Sequence, residues 1–302
     1  VMDASFQSLD GLSKHLSAGG TTSFLPTTYS APLQNLKLAA HAVREATAKQ
    51  TQGAKVLGIH LEGPYINPKR KGAHSPTHIR SPSIDELVKL EQEAGGSLRM
   101  VTLAPEVGLA LEVAKSLRSK GIILSAGHTD ATYEEMEAAT EAGFTHVTHL
   151  FNAMRPFHHR DPGVVGAALT DERLTVELIA DGLHLHPASL RLAALVKGSE
   201  KTVLASDSVM PAGLQDGEYL LGGDKVYLKD RRCSLESGQL AGSTIRLCDA
   251  VRNIVELADL PLTKAVEMAS LSPARVLGLA DRKGCLKPGW DADLTVFDQS
   301  FN

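Results

Sequence analysis

The sequence predicts an α/β protein, a (β/α)8 barrel of the TIM type. Short apolar runs alternate with amphipathic helical stretches along most of the 302 residues, a pattern typical of a parallel sheet. This length suits one large barrel better than two independent domains. Polar residues able to bind metal or move a proton end one apolar run after another, as active-site residues do at the C-terminal ends of barrel strands.

The pattern predicts one strand fewer than a closed barrel requires. Strands are predicted at residues 22–25, 55–61, 99–103, 122–125, 145–148, 175–180 and 202–205. Helices are predicted at residues 33–49, 84–93, 107–119, 133–141, 188–197 and 243–258. A helical pattern at residues 8–17 precedes the first of these strands, whereas in a strand-then-helix repeat a strand comes first. We therefore expect that the first barrel strand is missing from this sequence; an open seven-stranded variant is the alternative.

The C-terminal part of the sequence has a different character. We assign residues 1–280 to the barrel, with an inserted hairpin at residues 225–228 and 232–235. Residues 281–302 combine Gly and Pro turn chemistry with one strand near Leu294 and no following helix. Because a lone strand needs partners, this segment is interpreted as the remnant of a small β-sandwich domain. We expect the natural chain to extend at both ends, and residues 1–302 alone to be insoluble or inactive.

Composition argues against several classes of partner. The formal net charge of −4 provides no general attraction to nucleic acid or anionic membranes. No apolar stretch approaches the roughly 20 residues that a membrane span needs. The three cysteines, Cys233, Cys248 and Cys285, show no CxxC spacing and are odd in number, which favours a reducing compartment such as the cytoplasm.

Three strand ends carry the residue types of a catalytic metal centre. Glu62, His128 and His149 supply one carboxylate and two imidazoles and leave a fourth position for water, the pattern of catalytic zinc. Each has an alternative interpretation when taken singly: Glu62 could cap the turn at Gly63, and His128 could cap the following helix. Their shared position on one barrel rim favours the metal centre.

Asp207 ends the last predicted strand, across the rim from the other three. It could be a further ligand or the general base that deprotonates a metal-activated water. A helix-capping aspartate is the alternative, but residues 208–211 do not open a clear helix.

Cationic and donor groups near the rim suit an anionic substrate such as a phosphate ester. His74 follows the basic run at residues 69–71, and Arg160 lies in a His-rich loop. The alternatives are that the basic run is only a solvated surface, and that Arg160 only pairs with Asp161.

Seven segments resemble the N-acetylglucosamine-6-phosphate deacetylase family of the amidohydrolase superfamily. They are HLEGPY (60–65), KGAH (71–74), SAGHT (125–129), THLFNAM (148–154), IADGLH (179–184), LAGST (240–244) and SPAR (272–275). They follow the family's order over almost the whole chain.

The resemblance implies a function and a set of site residues. It implies hydrolysis of N-acetylglucosamine 6-phosphate to glucosamine 6-phosphate and acetate, with Glu62, His128 and His149 as metal ligands and Asp207 as the general base and acid. The implied substrate contacts are Ala73, His74, Asn152, Ala153, Arg160, Asp181, Gly182, Leu183, His184, Leu240, Ala241 and Gly242. It also implies a cytoplasmic homodimer in which Arg160 reaches the substrate phosphate of the neighbouring subunit.

The departures from the family's pattern leave some properties open. The family's first strand carries a His-x-His pair or its substitute, so one or two divalent ions are both compatible with this sequence. Zn²⁺ is expected, with Fe²⁺ or another divalent ion as alternatives. His60 could be an extra ligand, although an inward-packed core histidine is the favoured interpretation.

Two other functions remain as alternatives. The same barrel could serve a dihydroorotase-like or deaminase-like amidohydrolase, although the cyclic-amide branch usually carries a lysine where Glu62 stands. It could also be a scaffold that has lost its chemistry, which would bind no stoichiometric metal.

Overall fold

The structure, a computed structural model, describes residues 1–298 and is built around parallel strands that follow one another in chain order. They are β1 (Ser23–Phe24), β2 (Lys55–Val56), β3 (Ile59–Glu62), β4 (Leu98–Leu103), β5 (Ile123–Ala126), β6 (Phe144–Val147), β7 (Thr175–Leu178) and β8 (Thr202–Leu204). Strands β3 to β8 form one six-stranded sheet, and β1 pairs with β2. The six strands curve as a half-barrel, which confirms the predicted TIM-type fold class.

One predicted strand is divided in two. The strand expected at residues 55–61 appears as β2 and β3, which are separated by Leu57 and by Gly58 at φ +137°. A bridge between Thr27 and His60 continues the parallel pairing of β1 and β2 past this interruption.

Helices cover the outside of the sheet. They are α1 (Phe6–Ala18), α2 (Leu33–Lys49), α3 (Ile84–Ala94), α4 (Ala110–Arg118), α5 (Tyr133–Ala142), α6 (Gly163–Thr170), α7 (Pro187–Lys197), α8 (Leu247–Ala258), α9 (Leu262–Ala269) and α10 (Leu271–Val276). Short 3-10 turns occur at Pro68–Arg70, Pro76–His78 and Ser199–Lys201. The sequence did not predict α6, α9 or α10. Helix α6 is almost wholly buried, so it lacks the polar face that produces a helical period.

The core lies between the sheet and these helices. Leu103, Leu124 and Phe144 are fully buried on the strands, and Leu36 and Val43 of α2 pack into the same core. Burying each such side chain contributes about 1.5–3 kcal/mol. The strand faces covered in this way are apolar, which explains why the strand runs were easy to recognise.

The interior of the sheet below its C-terminal rim is polar. His60 Nε2 lies 2.7 Å from Thr102 Oγ1, and Thr102 Oγ1 lies 2.7 Å from Thr148 Oγ1. The Ser125 hydroxyl lies 2.6 Å from the same Thr148 oxygen. His60 is therefore a hydrogen-bonded core histidine in this structure, as the sequence favoured.

A small antiparallel sheet follows β8. Its strands are β9 (Gly217–Leu221), β10 (Asp224–Lys229) and β11 (Arg232–Leu235). The predicted hairpin corresponds to β10 and β11, whereas β9 was missed because its side chains are largely exposed and give no buried face.

The strand expected near Leu294 is not formed, since residues 291–298 contain no strand. Leu294 and Val296 are 60% and 89% exposed, and the Thr295 hydroxyl donates to the Gly20 carbonyl at 2.7 Å. A strand needs a neighbouring ladder of backbone groups, which this segment does not have within the described residues. The rest of the expected segment, residues 299–302, lies outside the described range, and the division into two domains stays a prediction.

Candidate active site

The residues expected at the active site lie at, or just beyond, the C-terminal ends of strands in one sheet. Glu62 is the last residue of β3, His128 and His149 follow β5 and β6 by two residues, and Asp207 follows β8 by three. The carboxyl ends of parallel strands share one edge, so residues far apart in sequence meet there.

Three donor atoms converge at this edge. Glu62 Oε1 lies 2.9 Å from His128 Nε2 and 3.0 Å from His149 Nε2, and the two Nε2 atoms are 3.1 Å apart. All three residues are more than 90% buried. A tetrahedral zinc ion with bonds of about 2.0–2.1 Å separates its ligand atoms by roughly 3.4 Å. The observed triangle is a few tenths of an ångström tighter, so small side-chain adjustments would admit such an ion.

The tautomer of His128 shows why a cation fits among these atoms. His128 Nδ1 lies 3.0 Å from the carbonyl oxygen of Arg70. A carbonyl can only accept, so Nδ1 carries a ring proton and Nε2 is the nitrogen left to face the metal centre. Nε2 lies 2.9 Å from the carboxylate oxygen of Glu62, so a proton or a metal ion must stand between these two atoms.

The pKa shifts of Glu62 and His149 also favour positive charge among these atoms. Burial alone would raise the pKa of Glu62, but hydrogen bonds from His128 and His149 hold it well below its usual range. Burial likewise opposes protonation of His149, yet the hydrogen bond and charge of Glu62 raise its pKa to about 9. His149 Nδ1 is buried and has no hydrogen-bond partner among the described residues.

The backbone at these positions is unusual for residues with side chains. His128, His149 and Asp207 have φ values of +50°, +34° and +48°. Such conformations persist where the surroundings enforce them, and they cluster at functional sites. The Asp207 carbonyl is held in this way by the backbone N–H of Ser243 at 2.9 Å.

Asp207 itself is poised to exchange a proton. Burial, and then the negative charge of Glu62, raise the pKa of Asp207 to about 7, although His149 and His184 oppose the shift. A pKa near the working pH is the value that serves a general base and acid best.

His74 lies beside the same atoms. Its ring centroid is 4.5 Å from that of His128, and Glu62, His74 and His128 offer donor atoms within 4.8 Å of one another. The backbone N–H of Ser30 donates to His74 Nδ1 at 3.0 Å, so the neutral ring carries its proton on Nε2. Burial, followed by the charge of His128, lowers the pKa of His74 to about 3 and keeps the ring neutral. His74 is therefore a hydrogen-bond donor rather than a fourth ligand.

One cleft connects most of the expected site. Its wall includes the metal-centre residues, Asp207 and the expected substrate residues Ala73, His74, Asn152, Ala153, His184, Leu240, Ala241 and Gly242. Within the described residues, Arg160, Asp181, Gly182 and Leu183 lie outside this wall.

Two of the residues outside the wall have identifiable surroundings. Asp181 accepts hydrogen bonds from the backbone N–H groups of Leu183 and His184, and its other oxygen lies 2.6 Å from His184 Nδ1. It therefore orients His184. Arg160 is exposed beside His159, and Asp161 pairs with Arg155 at 2.6 Å, so the alternative of an Arg160–Asp161 pair is wrong.

Several supporting residues escaped the sequence analysis. Glu177 binds His146 Nε2 at 2.9 Å and accepts the backbone N–H of His149 at 3.3 Å. A lone carboxylate among the apolar residues of a strand was the available signal. The basic run at residues 69–71 was interpreted as solvated, but Arg70 both accepts from His128 and pairs with Asp130.

These features define a metal-type hydrolase site on a parallel half-barrel, and the chain belongs to the amidohydrolase family, which it matches over residues 2–302. The family is metal-dependent. The N-acetylglucosamine-6-phosphate deacetylase of Bacillus subtilis (strain 168) is 44% identical and aligns with 98% of this chain and 76% of its own length. The N-acetylgalactosamine-6-phosphate deacetylase of Escherichia coli O157:H7 is 41% identical, with 100% and 80% covered.

A solved structure gives the same comparison in three dimensions. The crystal structure of N-acetylglucosamine-6-phosphate deacetylase from Pasteurella multocida superimposes with a TM-score of 0.94 at 34% identity. The superposition covers 99% of this chain and 78% of the Pasteurella multocida chain. Within residues 1–298, no helix has the length and apolar character to cross a membrane.

Proposed function

We propose that this protein hydrolyses the acetamide of N-acetylglucosamine 6-phosphate, giving glucosamine 6-phosphate and acetate. The observation that carries the proposal is the convergence of Glu62 Oε1 with the Nε2 atoms of His128 and His149 within 3.1 Å. Deacetylases of this kind match the chain over nearly its whole length.

Glu62, His128 and His149 would hold the metal. Two imidazole nitrogens and a carboxylate oxygen are a donor set that suits zinc, so Zn²⁺ is the proposed ion, with Fe²⁺ or another divalent ion as alternatives. A divalent ion bound there supplies the Lewis acidity that brings the pKa of a coordinated water toward neutrality. One or two divalent ions per subunit are proposed.

Asp207 carries the proton in both halves of the reaction. Its carboxylate accepts a proton from the water that attacks the acetyl carbonyl carbon. The same proton then passes to the sugar nitrogen as the C–N bond breaks and the amine leaves. The acetic acid formed keeps the second proton of the water and loses it to solvent as acetate. His74 Nε2–H donates to the carbonyl oxygen as negative charge develops on it.

The 6-phosphate is assigned to the outer residues of the site. His184, oriented by Asp181, lines the cleft, whereas Arg160 is displayed on the surface. We propose a homodimer in which Arg160 of one subunit binds the phosphate of its partner's substrate. The reaction is assigned to the cytoplasm, because the three cysteines are free thiols of the kind that reducing compartments preserve.

Acetate release tests this proposal. Full-length protein is stripped with a chelator, reloaded with Zn²⁺, and assayed on N-acetylglucosamine 6-phosphate, its C4 epimer N-acetylgalactosamine 6-phosphate, and unphosphorylated N-acetylglucosamine. We expect activity only after reloading and a strong preference for the gluco 6-phosphate. Preference for the galacto epimer would support the chemistry but reassign the substrate. Stoichiometric metal without activity on any of these amides would contradict the proposal, and absence of metal binding would favour the scaffold.

A further inference from the structure

Asp130 and Arg70 form an ion pair directly behind the metal centre. Arg70 Nε donates to Asp130 Oδ1 at 2.8 Å, and a second guanidinium nitrogen lies 2.7 Å from the same oxygen. Asp130 follows the metal-centre residue His128 by two positions, so the pair joins the His128 loop to the loop that carries Arg70. The two side chains are only 16% and 30% exposed, which limits screening of the pair by water.

The backbone of Arg70 contacts the ring of His128. Its carbonyl oxygen accepts the Nδ1–H of His128 at 3.0 Å, the bond that leaves Nε2 to face the metal centre. The backbone N–H of Asn67, which caps the 3-10 turn containing Arg70, donates to the His128 carbonyl at 2.9 Å. The two loops are therefore joined at three points, and the Arg70–Asp130 pair is the only one of these three made by side chains alone.

Asp130 is in turn held from the opposite side. Its backbone N–H donates to Glu106 Oε1 at 2.6 Å, and Arg155 Nε donates to its carbonyl oxygen at 3.0 Å. Thr129 Oγ1 donates to the second oxygen of Glu106 at 2.6 Å. Lys69, largely exposed, lies 3.9 Å from the Asp130 carboxylate and adds only a weak attraction. Glu106 and Arg155 thus hold the backbone of Asp130 in place, and the Arg70 side chain binds its carboxylate.

We propose that Asp130 and Arg70 are positioning residues that hold the Arg70 carbonyl against His128, and thereby set the tautomer and the direction of its metal-binding nitrogen. This inference rests on the proposed metal centre. Outer groups that fix a ligand histidine typically change metal affinity by about 10–100-fold when they are mutated. The effect here would act through a backbone carbonyl, which the substitution of either side chain leaves in the chain.

The test measures Zn²⁺ affinity in the absence of substrate. Full-length wild type and the Arg70→Ala, Asp130→Ala and double variants are stripped with a chelator and titrated with Zn²⁺ against a chromogenic competitor. We expect each single variant to bind about 10–100-fold more weakly. The double variant should be no weaker than either single, because one interaction is lost in all three. Arg70→Lys keeps one charged donor and should recover part of the affinity.

Arg173→Ala is the matched control. Arg173 also forms a two-nitrogen ion pair with an aspartate, Asp171, but this pair precedes β7 and so lies at the opposite end of the sheet. We expect Arg173→Ala to leave Zn²⁺ affinity unchanged, whatever it does to the melting temperature.

Several outcomes would overturn the proposal. Unchanged Zn²⁺ affinity in both single variants is one, and additive losses in the double variant are another. A loss equal to that of Arg173→Ala would mark the pair as merely structural. Should the alanine variants fail to fold, Arg70→Lys and Asp130→Asn supply the same comparison, with melting curves of the metal-free proteins as the check. Because no substrate is present, an inactive but metal-binding wild type would contradict the proposed function without affecting this result.

Discussion

The backbone N–H of Ser30 donates to Nδ1 of His74 across 3.0 Å, although 44 positions separate the two residues in sequence. This bond places the proton of the neutral imidazole on Nε2. A ring that can only donate from that atom is suited to stabilise a developing oxyanion rather than to ligate a metal.

His74→Ala should therefore lower kcat and leave metal binding intact. Loss of one oxyanion donor typically costs about 10²–10³ in kcat. His74→Asn, whose side-chain amide can also donate, should retain more activity than the alanine variant. Metal content measured beside kcat distinguishes the roles, since a variant that loses its metal would make His74 a ligand after all.

Asp207→Asn should separate binding from chemistry. The amide is nearly the same size as the carboxylate but can neither accept nor deliver the proton, so kcat should fall by about 10²–10⁴. Zn²⁺ content and KM should remain close to wild type. Asp171→Asn, at the other end of the sheet, serves as the control, and a near-normal kcat for Asp207→Asn would remove Asp207 from the mechanism.

The sequence predicted the parts of this site that depend on strand periodicity. Glu62, His128 and His149 could be found because each ends a run of buried apolar residues, and parallel strands bring their ends together. Ser30 and Arg70 could not be found, because they act through backbone groups that any residue possesses. Asp130 acts through its carboxylate and was missed for a different reason, because its partner Arg70 lies on a loop with no repeating pattern.

Arg160→Ala should raise KM for the 6-phosphate substrate. The apparent binding free energy should weaken by about 1.5–3 kcal/mol, which is the contribution of one charged hydrogen bond. Activity on unphosphorylated N-acetylglucosamine should change little. Arg191→Ala, which removes another exposed arginine, provides the comparison. Equal damage to both substrates would indicate a structural role.

Mixing the Arg160→Ala variant, which binds the 6-phosphate weakly, with the inactive Asp207→Asn variant tests whether Arg160 acts across a dimer. A heterodimer of Arg160→Ala with Asp207→Asn contains one site with an intact Asp207 and an arginine from the other subunit. We expect activity to appear when the two variants are unfolded and refolded together. A mixture no more active than its parts would assign Arg160 to its own subunit's site or to no site.

The close approach of Gly72 to His128 gives a further prediction. Its φ is +57°, and an added Cβ would lie 2.9 Å from Cε1 of His128. Gly121 has a similar φ of +73° with nothing within 4 Å. Both Gly→Ala variants should lose about 1–2 kcal/mol of stability from the backbone alone. Only Gly72→Ala should also weaken Zn²⁺ binding, and equal Zn²⁺ affinities would show that the His128 ring can move aside freely.

The positive φ values of His128, His149 and Asp207 lower the stability of the fold at positions where the proposed reaction requires side chains. Each such conformation costs a residue with a side chain about 1–3 kcal/mol, and glycine would adopt it with little strain. Glycine at Asp207 should therefore raise the melting temperature of the metal-free protein while abolishing its chemistry. At His128 and His149 the relief of strain is offset by loss of the contacts that each ring makes with the buried Glu62 carboxylate. A laboratory screen that rewarded survival at high temperature alone would tend to erase this site first.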